Sequence, residues 1–391
     1  MDTLRREILL QLAHRLDPRA LARVSRNVYN AVHESEFYKF FIKYEINLWN
    51  VITYGSLDII KFAWAEGLVD FSAEHIDSAE QERRRRSAQF NERTAILHDN
   101  IDADLSHRWK ITGISATNIA AQAGRLDVVQ WFHKTGSAKF TDDIMEYAAR
   151  GGHLNIIEWI YTHRPERYTP DTFTWAAARG HLHIIKWLYE HGGERDIDIV
   201  EIYAAEYGHL HIIKWLHENT SSKFCYFSTD LAARNGHLDI IKWFHEHNPT
   251  GGTYIAIEWA AKNGHLRVVQ WLHENRTDGC TVAAMDGAAA GGHLDVVRWL
   301  HENRTEGCTT KAMDMAARHG HLHVVQWLHK NRTEGCTTKA MDGAAAEGHL
   351  DVVQWLHENR TEGCTTKAMD LAASGGHLHV IQWLHRNRTE G

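Results

Sequence analysis

One glycine returns every 28 residues through most of this chain. It stands at Gly124, Gly152, Gly180, Gly208, Gly236, Gly264, Gly292, Gly320, Gly348 and Gly376. Seven residues after each glycine comes a tryptophan: Trp131, Trp159, Trp187, Trp215, Trp243, Trp271, Trp299, Trp327, Trp355 and Trp383. A fixed period of this size is typical of a stack of small supersecondary units in which each unit contacts its neighbours. The sequence therefore predicts a solenoid, an architecture that usually binds other proteins and rarely performs catalysis.

The unit from 336 to 363 shows how one repeat is built. Thr337 and Thr338 can cap a first helix, and Gly348 ends it because glycine adopts the left-handed conformation at low cost. A second helix follows, with two apolar rows: Leu350, Val353 and Leu356 on one side, Val352 and Trp355 on the other. A helix that is apolar on two sides is enclosed between neighbours, as a stack requires. We therefore predict that the ten tryptophans pack between repeats; a ligand-binding surface is the alternative.

The pattern Ala-Ala-x-x-Gly-His-Leu-x-Val-Val-x-x-Leu resembles the ankyrin repeat, whose usual unit has 33 residues. The resemblance implies an all-α fold, an ankyrin-like solenoid of stacked helix pairs. The present unit is about five residues shorter, and the deficit falls where that family has its β-hairpin finger. The family's Thr-Pro-Leu-His segment reads Thr-Lys-Ala-Met-Asp in the later units. We expect a shortened finger, so the family's finger-tip binding surface is not carried over intact.

Counting back from Gly391, ten whole units fill residues 112–391. We expect a degenerate first repeat at 46–69, around Gly55-Ser56-Leu57. Residues 70–111 are either an insertion or a decayed repeat with a shorter loop. Their basic run, Arg83 to Arg86 before Ser87, fits a solvated loop better than a nuclear localisation signal or a kinase site. Because the last four units are nearly identical, a specific protein target should bind the varied half, 112–260.

The first 45 residues lie outside the repeat. Their sequence reads Leu-Arg-Arg-Glu-Ile-Leu from residue 4, Leu-Asp-Pro from residue 16 and Leu-Ala-Arg-Val-Ser-Arg from residue 21. This pattern resembles the F-box, a short helical module that docks on the Skp adaptor of cullin-based ubiquitin ligases; Arg5 stands where that family has proline. The resemblance implies a docking surface made of Leu4, Ile8, Leu9, Leu16, Pro18 and Leu21. The alternative is a helical cap that shields the end of the stack.

Together the two resemblances imply a substrate receptor that links a protein target to a Skp/cullin ubiquitin ligase. In such a receptor the N-terminal module holds the ligase and the repeats hold the target. The alternative is an interaction scaffold, or a decoy for a host protein, with no ligase link.

Composition excludes several classes of function. The formal charge of −7 gives no basic excess for nucleic acid, and no run of 18 apolar residues could span a membrane. Phosphate-binding, nucleophile and metalloprotease motifs are missing, so we expect a non-enzymatic protein without a cofactor. Disulfide pairing between repeats needs Cα atoms within about 7 Å, whereas packed helices lie about 8–10 Å apart. We therefore expect reduced cysteines in the cytosol, with the nucleus as a second site, and a monomeric chain.

Thirty histidines suggest a metal site, and some form His-x-His pairs such as His181 and His183. Residues two apart on a helix point away from each other. Equivalent histidines of neighbouring repeats are too far apart to share a zinc ion, which binds nitrogen at about 2.0–2.1 Å. We therefore expect hydrogen bonds between repeats from the Gly-His-Leu histidines, and no metal site.

Overall fold

The computed structural model describes residues 52, 53, 57, 60, 61, 115–164, 168–191, 197–220, 225–248 and 251–388. They divide between two compact units, Met1–Asp196 and Ile197–Gly391. In this part of the chain the regular structure is helical, without strands, which confirms the all-α solenoid. The N-terminal module at 1–45, with its six predicted docking residues, lies outside the described residues. So does the segment 70–111 with its basic run; of the predicted repeat at 46–69 only five residues are described, among them the buried Ile52 and Ile60.

Each repeat contributes a first helix and a second helix. In the first unit the first helices are α1 (Ala116–Gln122), α3 (Ile144–Gly151) and α5 (Pro170–Ala178), and the second helices are α2 (Leu126–Thr135), α4 (Leu154–His163) and α6 (Leu182–Glu190). In the second unit the first helices are α7 (Ile197–Glu206), α9 (Tyr226–Arg234), α11 (Ile255–Lys262), α13 (Ala283–Ala290), α15 (Thr310–Arg318), α17 (Thr338–Ala346) and α19 (Lys367–Ser374). Its second helices are α8 (Leu210–Asn219), α10 (Leu238–His247), α12 (Leu266–Asn275), α14 (Leu294–Asn303), α16 (Leu322–Asn331), α18 (Leu350–Asn359) and α20 (Leu378–Asn387).

The start of a first helix is tied to the preceding repeat by an aspartate. Thr309 caps α15, and its Oγ1 accepts a hydrogen bond from the backbone N–H of Lys311 at 3.1 Å. The carboxylate of Asp286 in α13 accepts from both the backbone N–H and the hydroxyl of Thr309, each at 2.7 Å. The same bonding recurs between Asp230 and Thr253, Asp314 and Thr337, and Asp342 and Thr365. Each pair satisfies polar groups at the junction and fixes the register of one repeat on the next.

The periodic glycine is required for two physical reasons, both visible at Gly320. Its φ of +78° lies in the left-handed region, and it ends α15 with backbone bonds from Gly320 N–H to Ala317 and from His321 N–H to Ala316. The imidazole of His349, from the next repeat, lies directly against it. A methyl group added at Gly320 would come within 2.6 Å of His349 Cε1 and Nδ1. The glycine of one triplet thus provides the space for the histidine of the next.

The core lies between the first and second helices. In α18, Val352 and Val353 are fully buried and Leu356 is almost so, whereas Leu350 and Trp355 are half-buried. The sequence predicted that Trp355 would be enclosed between neighbouring repeats, whereas in the structure it is half-buried. The small alanines of the first helices let α17 pack closely against α15 on one side and α19 on the other. The indole lies on the other side of the second helix, at its edge.

Candidate protein-binding surface

The tryptophans form an edge contact between successive second helices. Trp243 is 9% exposed, and the others are half-buried: Trp131, Trp159, Trp187, Trp215, Trp271, Trp299, Trp327, Trp355 and Trp383. The ring of Trp299 meets His273 of the preceding repeat edge-on, with ring centroids 5.1 Å apart and planes at 82°. The same contact joins His133 to Trp159, His217 to Trp243, His245 to Trp271, His301 to Trp327, His329 to Trp355 and His357 to Trp383. Such edge-to-face pairs contribute about 0.5–1.5 kcal/mol each beyond the area they bury.

An arginine from the following loop completes each contact in the later repeats. Arg304 Nη1 lies 3.2 Å from His273 Nδ1, and the guanidinium also pairs with Glu306. Because a guanidinium can only donate hydrogen bonds, the imidazole nitrogen is the acceptor. Equivalent bonds join Arg332 to His301, Arg360 to His329 and Arg388 to His357. These side chains satisfy one another, so this edge stabilises the stack and offers little free binding capacity.

Several other histidines also bond between repeats. Nε2 of His153 lies 3.2 Å from the carbonyl oxygen of Gln122, and Nε2 of His237 lies 3.0 Å from that of Glu206. The second histidine of a His-x-His pair donates to a glycine carbonyl of the preceding repeat, as His323 does to Gly292 at 3.2 Å. Within the described ranges no cluster of three side chains could hold a metal ion. Many of the histidines therefore serve at repeat junctions.

The cysteines are present as thiols: Cys225, Cys280, Cys308, Cys336 and Cys364. Burial raises the pKa of Cys308 and of Cys336 to about 11. Because the thiolate is the nucleophile, these two groups are unreactive near neutral pH. Their role is packing at the start of a repeat.

Side chains that distinguish one repeat from the next lie near the ends of the first helices. The ring of Tyr203 in α7 stacks on that of Tyr207, the residue after the helix, with centroids 6.4 Å apart, and Tyr207 is 43% exposed. Across the next junction the guanidinium of Arg234 lies 5.3 Å from the ring centroid of Trp259. We call these four residues the first-helix surface. Tyrosine, tryptophan and arginine are the side chains that most often carry binding energy in protein interfaces. Of these four residues Tyr207 is exposed and the other three are half-buried.

The later repeats lack these rings. Glycine replaces the aromatic residue at Gly287 and Gly343, and the side-chain stems of Lys262 and Arg318 lie over the space. A Cβ added at Gly343 would lie only 2.9 Å from Cβ of Arg318. The sequence had indicated the varied half at 112–260 without naming its binding residues. The sequence does contain a signal for these residues. Their positions vary from repeat to repeat, whereas the capping threonine, the glycine and the Val-Val-Leu positions recur.

One junction of the second unit contains a buried carboxyl group. Glu201 is 3% exposed and accepts hydrogen bonds from the backbone N–H of Cys225 at 3.0 Å and from the hydroxyl of Ser228 at 2.7 Å. Burial raises the pKa of Glu201 to about 7, despite these two bonds. Glu146, at a junction of the first unit, has its pKa raised to about 7 by the same cause. These junctions therefore gain charge near neutral pH.

Glu201→Gln is expected to remove part of the pH dependence of stability. Because its folded pKa lies above the ordinary value of 4.5, Glu201 binds a proton more tightly in the folded chain. Its stabilising contribution is complete below about pH 4.5 and is lost as the pH rises through about 7. Urea unfolding should show the free energy of unfolding of the wild type falling between pH 5 and pH 8. In the variant this fall should be smaller by on the order of 2 kcal/mol. Glu302→Gln, at an exposed position, is the control, and equal decreases in both variants would contradict the expectation.

Among the described helices, none has the length and apolar content needed to cross a membrane. No curated protein sequence matches the chain. Of the solved structures, 71 chains match; one is titled "Crystal structure of the pentatricopeptide repeat protein PPR10 from maize". That match has 9% sequence identity and a TM-score of 0.35, and covers 98% of this chain but 64% of the other.

Two family models match the repeats directly. "Ankyrin repeats (many copies)" matches residues 173–217, 280–329 and 341–385, and "Ankyrin repeats (3 copies)" matches residues 202–286. Together these segments make up just over half of the 391 residues. Ankyrin repeats are typical of non-enzymatic proteins that bind protein partners. The chain therefore belongs to the ankyrin-repeat family and is a protein-interaction scaffold.

Proposed function

We propose that the chain is a substrate receptor: its first-helix surface binds a protein target, and residues 1–45 bind a Skp-type adaptor of a cullin ubiquitin ligase. The observation that carries the target-binding part is the exposed Tyr207 beside the Arg234–Trp259 pair. These side chains interrupt a framework that otherwise repeats. Tyrosine and tryptophan bury large areas at little entropic cost, and arginine joins them among the residues that most often anchor a partner.

The ligase part is supported by the F-box-like sequence between residues 4 and 41. A receptor of this kind performs no chemistry, because catalysis belongs to the ligase subunits. That division of labour agrees with a scaffold in which cysteines and histidines serve at repeat junctions. The repeats contribute positioning, since each junction is fixed by hydrogen bonds such as those between Asp286 and Thr309.

Affinity purification with three forms of the full chain tests both parts. The wild type is expected to retain the Skp adaptor, and Leu9→Arg/Leu21→Arg to lose it while keeping the target. Tyr207→Ser/Trp259→Ser is expected to keep the adaptor and lose the target. Leu371→Arg/Leu378→Arg changes exposed leucines of the last repeat and serves as the control.

Each part has its own contradicting result. Failure of the wild type to retain the adaptor would end the ligase proposal and favour a scaffold or decoy without a ligase link. A target that binds equally to wild type and Tyr207→Ser/Trp259→Ser would show that the first-helix surface is not its binding site.

A further inference from the structure

Three consecutive repeats of the second unit expose an apolar side chain where the first helix begins. Phe227 lies at the start of α9 and is 41% exposed; Tyr254 and Val282 precede α11 and α13 and are 48% and 36% exposed. Because these three side chains are exposed, they do not belong to the buried core. Tyr254 and Val282 occupy the same repeat position, and Phe227 lies one position later in its own repeat. Together we call these three side chains the apolar row.

The next three repeats carry lysine at the repeat position of Phe227, one residue after the position of Tyr254 and Val282. Lys311, Lys339 and Lys367 lie in the first turns of α15, α17 and α19 and are exposed. A cation in the first turn opposes the helix dipole, so helix stability does not explain three of them in register. The apolar row and the three lysines together are called the helix-start strip.

The charges near the lysines leave the ammonium groups facing solvent. In the adjoining loops Arg304, Arg332 and Arg360 are each paired with a glutamate two residues later. Asp314 and Asp342, three residues after Lys311 and Lys339, are buried and bonded to capping threonines, whereas Asp370, three residues after Lys367, is exposed. An approaching partner therefore meets three exposed lysines at one end of the strip, the last of them beside the exposed Asp370, and three apolar side chains at the other.

We propose that the helix-start strip binds an extended protein segment that is apolar at one end and acidic at the other. Neighbouring repeats lie about 8–10 Å apart, so the five steps from Phe227 to Lys367 span about 40–50 Å. An extended chain rises about 3.3 Å per residue, which gives a segment of about 12–15 residues. The order of the strip fixes the direction of the segment. This inference rests on the proposed role in binding a protein target and names the chemistry of that target.

Charge complementarity favours an acidic protein over a nucleic acid. Three lysines are few for a phosphate backbone, whose binding relies on many cationic contacts. The formal charge of the whole chain is −7, which repels polyanions at long range. The adjoining Phe227, Tyr254 and Val282 offer apolar contact, which suits aliphatic or aromatic side chains of a peptide.

Selection from a displayed library of random 15-residue peptides tests the inference on the full-length chain. The selected peptides are expected to cluster Asp and Glu toward one end and apolar residues toward the other. Fluorescence anisotropy with the best peptide should show binding weakened about tenfold or more by Lys311→Glu/Lys339→Glu/Lys367→Glu, and to a similar degree by Phe227→Ser/Tyr254→Ser/Val282→Ser. Added salt should weaken the wild-type interaction.

The matched control is Lys214→Glu/Lys242→Glu/Lys330→Glu, which makes the same change of charge at exposed positions on second helices. Peptides without an acidic bias, or equal weakening by the control, would overturn the inference. The inference would also be overturned if labelled single-stranded DNA bound more tightly than the best peptide and lost that binding in Lys311→Glu/Lys339→Glu/Lys367→Glu. Peptide binding that depends on Tyr207 and Trp259 but not on the strip would refute this inference and leave the proposed function standing. Circular dichroism confirms that each variant is folded.

Discussion

Trp243→Ala is expected to lower the free energy of unfolding by about 3–5 kcal/mol, the usual cost of truncating a buried aromatic side chain. Trp243 is the most enclosed of the periodic tryptophans, at 9% exposure. Its ring stacks on His247 with centroids 4.2 Å apart and meets His217 of the preceding repeat edge-on at 5.4 Å. Urea unfolding followed by circular dichroism measures the loss. Amide hydrogen exchange should show α8 and α10 opening first.

Trp299→Ala provides the matched comparison. Trp299 meets His273 in the same edge-on geometry but is half-buried, so its truncation should cost less, about 1–2 kcal/mol. Trp243→Phe keeps an aromatic ring at the junction and should fall between wild type and Trp243→Ala. A midpoint for Trp243→Ala close to that of wild type would refute the packing role of the indole.

Gly320→Ala is expected to destabilise the chain by about 2–4 kcal/mol. An alanine at φ of +78° costs about 1–2 kcal/mol, and the added methyl group would lie 2.6 Å from the His349 ring. That ring belongs to the next repeat, so the strain loosens a junction. Thermal unfolding and urea titration both report the change.

The chain contains its own control for the histidine contact. Gly376 has φ of +75°, but a Cβ there meets nothing within 4 Å, so Gly376→Ala should cost only the backbone strain of about 1–2 kcal/mol. Adding His349→Ala to Gly320→Ala should recover part of the loss, because it removes the clash. Equal effects of Gly320→Ala and Gly376→Ala would mean that the imidazole simply moves aside.

Local sequence signals predicted much of one repeat. The glycine that ends a first helix and the threonine that begins one were readable from the unit at 336–363. Of the two apolar rows predicted for its second helix, Val352, Val353 and Leu356 are buried, whereas Leu350 and Trp355 are half-buried. Thr337 caps α17, and Gly348 takes a φ of +81°. These features depend on a few neighbouring residues, so propensity and periodicity are enough to find them. The F-box-like docking residues at 4–21 and the target itself remain proposals.

The hydrogen bonds between repeats were harder to predict from the sequence. At most junctions of the second unit an aspartate or glutamate bonds to the capping threonine of the next repeat. In α7 Ile202 occupies that repeat position, and Glu201, one residue earlier, turns into the junction to reach Cys225 and Ser228. Its raised pKa follows from burial, which depends on how two repeats meet.

The amino-acid sequence alone determined that this chain forms stacked helix pairs with a 28-residue period, because turn, cap and apolar spacing act within each unit. Only the tertiary structure decided which side chains remain exposed. The alanines of the first helices draw neighbouring repeats together and leave the indoles at the edge of the second helices, against histidines 26 residues earlier in the chain. Exposure of Tyr207, Tyr254 and the lysines follows from that packing, since each depends on atoms of an adjacent repeat.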